Sequence, residues 1–554
     1  MTTPTRSDAA GGRPPRRRAA RVLAAGAALL MAVVAPAAPA LAVPYEQVEG
    51  TGSTWSANAL QQWVTSVQAT GNRVVYTANG SSAGRRDFSN SQSDFGVSEI
   101  PYQTQPDPIT GVVEDARRPF AYMPIVAGGT SFMYHLEVGG KLYRDLRLSG
   151  ESIVGIFTNK ITKWNDPQIT RDNNGKALPA IDIVPVVRSD GSGTTAQFAL
   201  WMDKRYGSQW RAYCGCQGLT SYYPRKGRQV AQSGSDNVAN YVAARSGNGT
   251  IGYVEFSYAR NKNYPVAKML NQAGYYVSPT DYNVAVALQQ ARINTDRSNP
   301  REYLTQVLDG VYTNADKRAY PLSSYSYMIL PVGADDRRIT PGRARALADF
   351  AYYSICEGQR NAGQLGYSPL PRNLVQAAFD QIARIAKLAP EDRPDNNFAN
   401  CPNPTFDPRN PAVNKLAQDA PAPPECDRQG QGPCSGNGNN NGGNNNANNN
   451  GGNNNANNNG NNNGAGPNAT TPPTAAPVDT DGDGIADVDP ESGQPILAGG
   501  TNNELTGAAT ELAAFRPDGM SRALAVLAAG LLLLVVLLPG LVSRAVARRR
   551  EAGR

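Results

Sequence analysis

Arg188-Ser189-Asp190-Gly191-Ser192-Gly193-Thr194-Thr195 is the stretch on which the reading of this chain turns. The apolar run Ile181–Val187 ahead of it has the length and branching of a buried strand, and Ala196–Met202 behind it reads as a helix. The eight residues therefore form a strand-to-helix turn, the unit from which α/β folds are built. A helix start presents free backbone N–H groups and partial positive charge, which favour an anion. Arg188 adds a planar fork of donors suited to phosphate-like oxygens. Asp190 is the unexpected member, because a carboxylate beside an anion repels it unless a proton lies between them.

Two further turns share this design. Gly50-Thr51-Gly52-Ser53-Thr54-Trp55 precedes a helix expected to start near Ser56, and Asn79-Gly80-Ser81-Ser82-Ala83-Gly84 follows a strand and leads towards a helix near Arg85. Ser and Thr are ordinary helix caps, so one such turn alone says little. Three in one chain point to convergence on one anion. A fourth stretch, Ser93-Asp94-Phe95-Gly96-Val97-Ser98-Glu99, supplies a carboxylate instead of donors.

Outside these turns the pattern predicts strands at Arg73–Ala78, Phe120–Ala127, Ser131–Leu136, Ile181–Val187, Gly252–Phe256 and Tyr325–Val332. Helices are predicted at Ser56–Ala69, Gly150–Phe157, Thr194–Tyr206, Asn237–Arg245, Ser278–Asn294 and Gly342–Ser354. The alternation is that of an α/β domain over residues 43–398.

Taken in order, the four motifs resemble those of the phosphate-binding proteins of bacterial phosphate ABC transporters. Ile156-Phe-Thr-Asn-Lys-Ile-Thr-Lys-Trp164-Asn165-Asp166-Pro167 and Gly249-Thr-Ile-Gly-Tyr-Val-Glu255 agree with that family, and the resemblance spans about 48–375. It implies an α/β, two-lobed periplasmic-binding-protein fold (type II-like) with a hinge. Lobe I would hold about 45–127 and 320–395, and lobe II about 128–319. The implied phosphate ligands are Thr54, Trp55, Ser81, Glu99, Arg188, Asp190, Ser192, Gly193 and Thr194. Three positions depart from the family: Trp55 stands where Phe is usual, Ala83 replaces a Gly, and Glu99 stands where Asp is common. The resemblance also gives Asp190 and Glu99 a purpose. Protonated phosphate can donate to a carboxylate, whereas sulfate cannot.

The ends of the chain are read as targeting segments. Residues 1–42 have the arginines, apolar run and Ala40-Leu41-Ala42 of a signal peptide, with no Cys at the cleavage point for a lipid anchor. Residues 523–543 are apolar and long enough to span a bilayer, and the basic tail 544–554 places the C-terminus in the cytoplasm. The formal charge of +7 comes from these ends, since residues 1–42 carry +5 and residues 522–554 carry +5, leaving −3 between them, so a nucleic-acid surface is disfavoured. Residues 399–434 read as a Pro- and Cys-containing linker, 435–478 as an Asn/Gly-rich disordered spacer and 492–522 as a further linker. Thirty such residues of spacer would span roughly 30 Å. The acidic segment 479–491, with Asp479, Asp481, Asp483 and Asp487, has the alternate carboxylates of a calcium loop, the other reading being a solvated acidic turn.

Six cysteines in an exported chain suggest disulfides, Cys426 with Cys434 and Cys356 with Cys401, whereas Cys214 and Cys216 are too close to pair without strain. Zinc is disfavoured, since His135 is the sole His and most simply packs beside the strand 131–136. No cofactor and no catalysis are expected, because no nucleophile elbow or multi-His site is present. The expected function is capture of phosphate at the cell surface for ABC permease and ATPase subunits. A surface interaction or phosphate-sensing protein is the alternative, and a phosphatase-like enzyme is a third reading.

Overall fold

The strands Val48–Gly52 (β1) and Val74–Thr77 (β2) lie parallel, which requires a crossover between them. The helix Ala57–Gln68 (α1) supplies it, burying Ala59, Leu60, Trp63 and Val67 on one face. The computed structural model describes residues 45–432 and 434, and these continue the same logic. Ser81–Ser89 (α2) leads to Phe95–Ser98 (β3), which pairs with the other edge of β1. The long strand Phe120–Tyr134 (β4) follows. Beyond it come Val184–Arg188 (β5), Gly193–Cys214 (α3), Val230–Gln232 (β6), Gly234–Ala243 (α4) and Thr250–Glu255 (β7). Ser323–Pro331 (β8), Pro341–Ile355 (α5) and Arg372–Ile382 (α6) return to the first core. The sheet order is β2-β1-β3-β8-β4-β7-β5-β6.

Strand β4 joins two halves of the body. Its residues 120–129 pair antiparallel with β8, and its residues 130–134 pair antiparallel with β7. The first stretch packs into a core with Trp63, Phe88, Phe95, Leu347 and Phe350. The second enters a separate core with Phe157, Trp164, Phe198, Trp201 and Trp210. All fifteen residues of β4 are buried, as expected of a strand covered on both faces. The sequence pattern divides this strand in two because Gly128-Gly129 looks like a breaker. The glycines are required for close approach instead. A Cβ on Gly128 would lie 2.8 Å from the Trp55 ring, and one on Gly129 would lie 2.6 Å from Pro279.

Other boundaries differ for local reasons. The helix expected to end at Tyr206 is interrupted there by non-helical backbone (φ −134°, ψ 36°) and resumes to Cys214. Of the segment 278–294 only Asp281–Leu288 is helical, because Arg292–Ile293 pairs with Gln306–Val307. Cys214 and Cys216, expected to stay apart, are bonded to each other. Gly215 between them takes left-handed backbone (φ +71°), which turns both side chains to one side with their α-carbons 5.0 Å apart.

Residues 398–428 run over both halves. Cys401 is bonded to Cys356 at the end of α5, and Thr405 Oγ1 donates to Leu370 O at 2.8 Å. Leu416, Ala417 and Ala420 then pack into the second core. Asp427 is buried against Arg147 and Lys268, each at 2.9 Å, and Cys426 is bonded to Cys434. The segments read as signal peptide (1–42), spacer (435–478), calcium loop (479–491), linker (492–522), membrane span (523–543) and tail (544–554) lie outside the described residues. Among the described residues no helix is long and apolar enough to cross a membrane.

The Cys356–Cys401 bond closes a loop with a sequence separation of 45. Loop-closure entropy assigns such a crosslink about 4 kcal/mol. Replacing both cysteines by Ala is therefore expected to lower unfolding free energy by about that amount in guanidinium titration. An unchanged midpoint would show that packing alone holds the segment.

Candidate ligand-binding site

Glu99 follows β3 and is 1% exposed. A buried carboxylate needs donors or a cation around it. Among the described residues no Lys or Arg forms an ion pair with it. Hydroxyls from three elements do the work instead. Ser53, just after β1, donates to Oε1, as does Ser326 of β8 at 3.1 Å. Ser81, first residue of α2, donates to Oε2 at 2.6 Å. The Glu99 carbonyl accepts from Gln197 Nε2 at 2.9 Å and Gln306 Nε2 at 3.1 Å.

On the second half, Arg188 ends β5 and forks onto Asp190, with Nε to Oδ1 at 2.7 Å and Nη2 to Oδ2. Asp190 Oδ1 also accepts from the Gly234 N–H at 3.0 Å. Burial on its own would raise the Asp190 carboxyl, but the Arg188 guanidinium outweighs it and holds the group below the usual carboxylate range. Burial likewise works against the Arg188 charge, and Asp190 reverses that, leaving the guanidinium above its ordinary value. Ser192 caps α3 by accepting from Thr195 N at 3.1 Å, and the helix thereby points its N-terminus back along the turn. Thr194 Oγ1 is buried and has no partner among the described residues.

The two halves meet at these groups. A Cβ on Gly193 would lie 2.1 Å from Glu99 Oε2 and 2.7 Å from Ser81 Oγ. One on Gly80 would lie 2.7 Å from Asp190 Oδ2. Ser82 N donates to Gly191 O at 3.2 Å across the seam. Thr54 is held by Ser235, whose backbone N–H donates to Thr54 Oγ1 at 3.2 Å while the hydroxyls lie 3.0 Å apart. Tyr258 OH donates to the Thr54 carbonyl. Among the described residues the backbone N–H groups of Thr54 and Trp55 meet no protein acceptor. The result is a seam lined by one guanidinium, unengaged helix-start donors, hydroxyls and two carboxylates, a set suited to a tetrahedral oxyanion that carries a proton.

All nine residues expected from sequence lie along this seam or one residue from it. Thr54, Ser81 and Glu99 come from the first half, and Arg188, Asp190, Ser192, Gly193 and Thr194 from the second. Trp55 does more than offer its backbone. Its indole Nε1 donates to Thr130 Oγ1 at 3.2 Å, and its ring covers Gly128 at the crossing of β4. Sequence reasoning passed over Ser53, Ser235, Ser326 and Gln197. Ser53 sits inside a quoted motif, and Ser233-Gly234-Ser235 is a fourth helix start of the same kind, so both had a local signal. Ser326 lies in mid-strand, 227 residues from Glu99, and had none. His135 stands apart, buried just after β4 with Nδ1 3.1 Å from Val242 O.

A family model described as the PBP superfamily domain matches residues 37–357. The phosphate-binding protein PstS of Xylella fastidiosa (strain Temecula1) is 31% identical over 334 residues, covering 60% of this chain and 83% of that protein. Phosphate-binding protein PstS 3 of Mycobacterium leprae is 31% identical over 330 residues, covering 58% and 83%. A solved high-affinity periplasmic phosphate-binding protein (PfluDING), bound with phosphate, is 20% identical, with a TM-score of 0.47, covering 60% of this chain and 93% of that one.

One buried acid beside the seam has a measurable signature. Glu255 ends β7, its Oε2 accepts from Ser257 N at 2.6 Å, and its Oε1 has no partner among the described residues. Burial pushes its carboxyl up to about 8, against the smaller opposing effect of the Ser257 donors. The folded state therefore holds this proton more tightly than the unfolded chain. Its contribution to stability is complete below about pH 4.5 and is lost as pH rises towards about 8. Glu255→Gln keeps the shape without the charge. In urea unfolding its stability relative to the parent is expected to rise by roughly 1 kcal/mol per pH unit across that interval. Parallel curves would mean that Glu255 does not carry the titration.

Proposed function

This chain belongs to the PBP superfamily and, within it, to the PstS-like phosphate-binding proteins, and we propose that it captures inorganic phosphate in the seam between its halves and delivers it to the permease and ATPase subunits of an ABC transporter. The observation that carries this reading is the Arg188–Asp190 pair leading into a helix N-terminus that abuts Glu99 and Ser81. Arg188, the Thr194 hydroxyl and the helix-start N–H groups of Thr54, Trp55, Gly193 and Thr194 supply donors to the phosphate oxygens, and the Ser81 hydroxyl joins them by turning its one proton from Glu99. Asp190 and Glu99 supply acceptors for its protons. Since Glu99 is buried and Asp190 half-buried, an ion without a proton leaves each facing unpaired negative charge. Glu99, one methylene longer than the usual Asp, is folded back by its serine donors, so the longer side chain is accommodated without losing its place at the seam.

We read the protein as a binder and not an enzyme. The arginine-rich signal-like segment 1–42 and the apolar stretch 523–543 with its basic flank support export of the body and tethering by one C-terminal span. A calcium ion at Asp479, Asp481, Asp483 and Asp487 would stiffen the connecting stalk in this arrangement.

Two measurements test the reading. In calorimetric titration of the full chain, phosphate is expected to bind and sulfate to bind at least about 100-fold more weakly, while Arg188→Ala weakens phosphate by about 100-fold or more. Equal affinity for the two anions, or full binding by the Arg188 variant, would sink it. In cell fractionation the full chain is expected with the membrane, and a chain ending before Arg522 in the soluble exported fraction; identical partition of both would remove the tether.

A further inference from the structure

The loop between β3 and β4 does more than connect them. Its base is tied to the helix that presents Ser81: Arg85, fully buried on α2, forks onto Glu114 at 2.6 and 2.7 Å and donates to Ser82 Oγ at 3.2 Å. Glu114 Oε2 also accepts from Gln103 N at 2.9 Å, which closes the loop on itself. Its tip carries Asp107, 8% exposed in a loop that leaves Ile109, Val112 and Val113 in solvent. Among the described residues no Lys or Arg pairs with Asp107.

The two carboxylate oxygens of Asp107 share Thr220 and otherwise face different partners. Oδ1 accepts from the loop's own backbone, Ile109 N and Thr110 N, each at 3.0 Å. Oδ2 accepts from the other half of the molecule, from Ser221 N at 3.0 Å and from Thr220 Oγ1 at 3.0 Å, a hydroxyl that also lies 3.2 Å from Oδ1 and 3.1 Å from Tyr222 O. Thr220 and Ser221 are themselves buried. The Ser221 carbonyl in turn accepts from Ser192 N at 2.9 Å, in the turn that opens α3. The Tyr222 hydroxyl lies against Gly191 of the same turn, 2.9 Å from where a Cβ would stand.

We propose that Asp107 is the catch of a latch, a positioning residue that docks on Thr220 and Ser221 when the halves close, and so holds the Arg188–Thr194 turn in place and slows release of the bound anion. The proposal rests on the phosphate reading for its ligand, but the contact itself does not. When the halves part, Oδ2 exchanges two buried donors for water, while Oδ1 keeps its turn. The latch is therefore reversible, and it stores nothing in the open state. It forms whenever the halves close, with or without an anion, and since an anion enters before closure it sets the rate of escape and leaves the rate of capture alone.

The test uses the full-length chain and inorganic phosphate. Asp107→Ala removes the catch. Asp107→Asn keeps an oxygen for the loop's own turn but sets an amide against the Ser221 N–H, which cannot reverse its role. Thr220→Val removes one donor at constant shape. Both Asp107 variants are expected to raise phosphate dissociation in stopped-flow chase about tenfold, with association within about twofold of the parent. Thr220→Val is expected to give a smaller rise and to add little on Asp107→Ala. Hydrogen exchange in phosphate-free buffer reads the latch without the ligand. Segments 188–195 and 219–223 are expected to exchange faster in all three variants, with 120–134 still protected. Asp107→Asn indistinguishable from the parent would overturn the latch and leave Asp107 as a loop-folding residue. If the parent chain binds no phosphate, the proposed ligand fails, and the exchange comparison still decides the latch.

Discussion

A carboxylate removed from water must be surrounded by donors, and in this protein that requirement is met on each side of one seam by different means. Glu99 is satisfied by neutral hydroxyls from Ser53, Ser81 and Ser326. Asp190 is satisfied by a guanidinium and a backbone N–H. The placement of β1, α2, β3 and β8 follows from the first solution, since each must bring its serine or its glutamate to one point. The second fixes the end of β5 against the start of α4. Removing any one hydroxyl would leave an under-satisfied buried charge, a cost of about 1–3 kcal/mol. The seam is thus demanding to build and tolerates little rearrangement within either half.

The two halves are joined through β4, and the joint constrains the sequence in its own way. Trp55 and Tyr320 both reach Thr130, the first through its indole N–H and the second by donating from its hydroxyl to the Thr130 carbonyl at 2.8 Å. Their rings occupy the space that side chains at 128 and 129 would need. Glycine is required at the crossing for space, with the aromatic rings supplying the bulk. That packing lets one strand serve two cores without a loop between them.

Much of this was legible locally. The three helix starts at Thr54, Ser81 and Arg188–Thr195 announce themselves by composition, and the strands flanking them by apolar runs. What escaped was non-local or ambiguous in one dimension. Gly128-Gly129 carries the same local signature whether it breaks a strand or admits a ring. Ser326 and Gln306 reach Glu99 only after the chain has returned from more than two hundred residues away. Residues 399–434 look like a linker by proline content, yet their anchors are Cys356, Leu370, Arg147 and Lys268, scattered along the body. The Cys214–Cys216 bond depended on the backbone sign at Gly215, which composition does not encode.

The distribution of charge explains how so tightly built a seam remains able to open. The ion pairs that flank it close within one half: Arg85 with Glu114, Arg118 with Asp336 and Arg338 with Asp94 on the first, Arg188 with Asp190 on the second. The contacts that cross it use hydroxyls, amides and backbone groups, as in Ser82 N to Gly191 O, Gln197 to the Glu99 carbonyl and Ser235 with Thr54. Asp107 fits this division, since its cross-seam partners are a hydroxyl and an N–H and its charge has no cation to abandon. A neutral hydrogen bond exchanged for water is worth about 1 kcal/mol and one to a carboxylate about 1.5–3 kcal/mol, whereas parting a buried ion pair costs about 3–5 kcal/mol. Closure built from the first kind lies within the range that one bound anion can tip. Closure built from the second would lock the halves regardless of ligand. Each half is therefore preorganised by its own charges, and the balance between open and closed is left to weak contacts and to whatever oxyanion satisfies Arg188, Thr194 and the free N–H groups together.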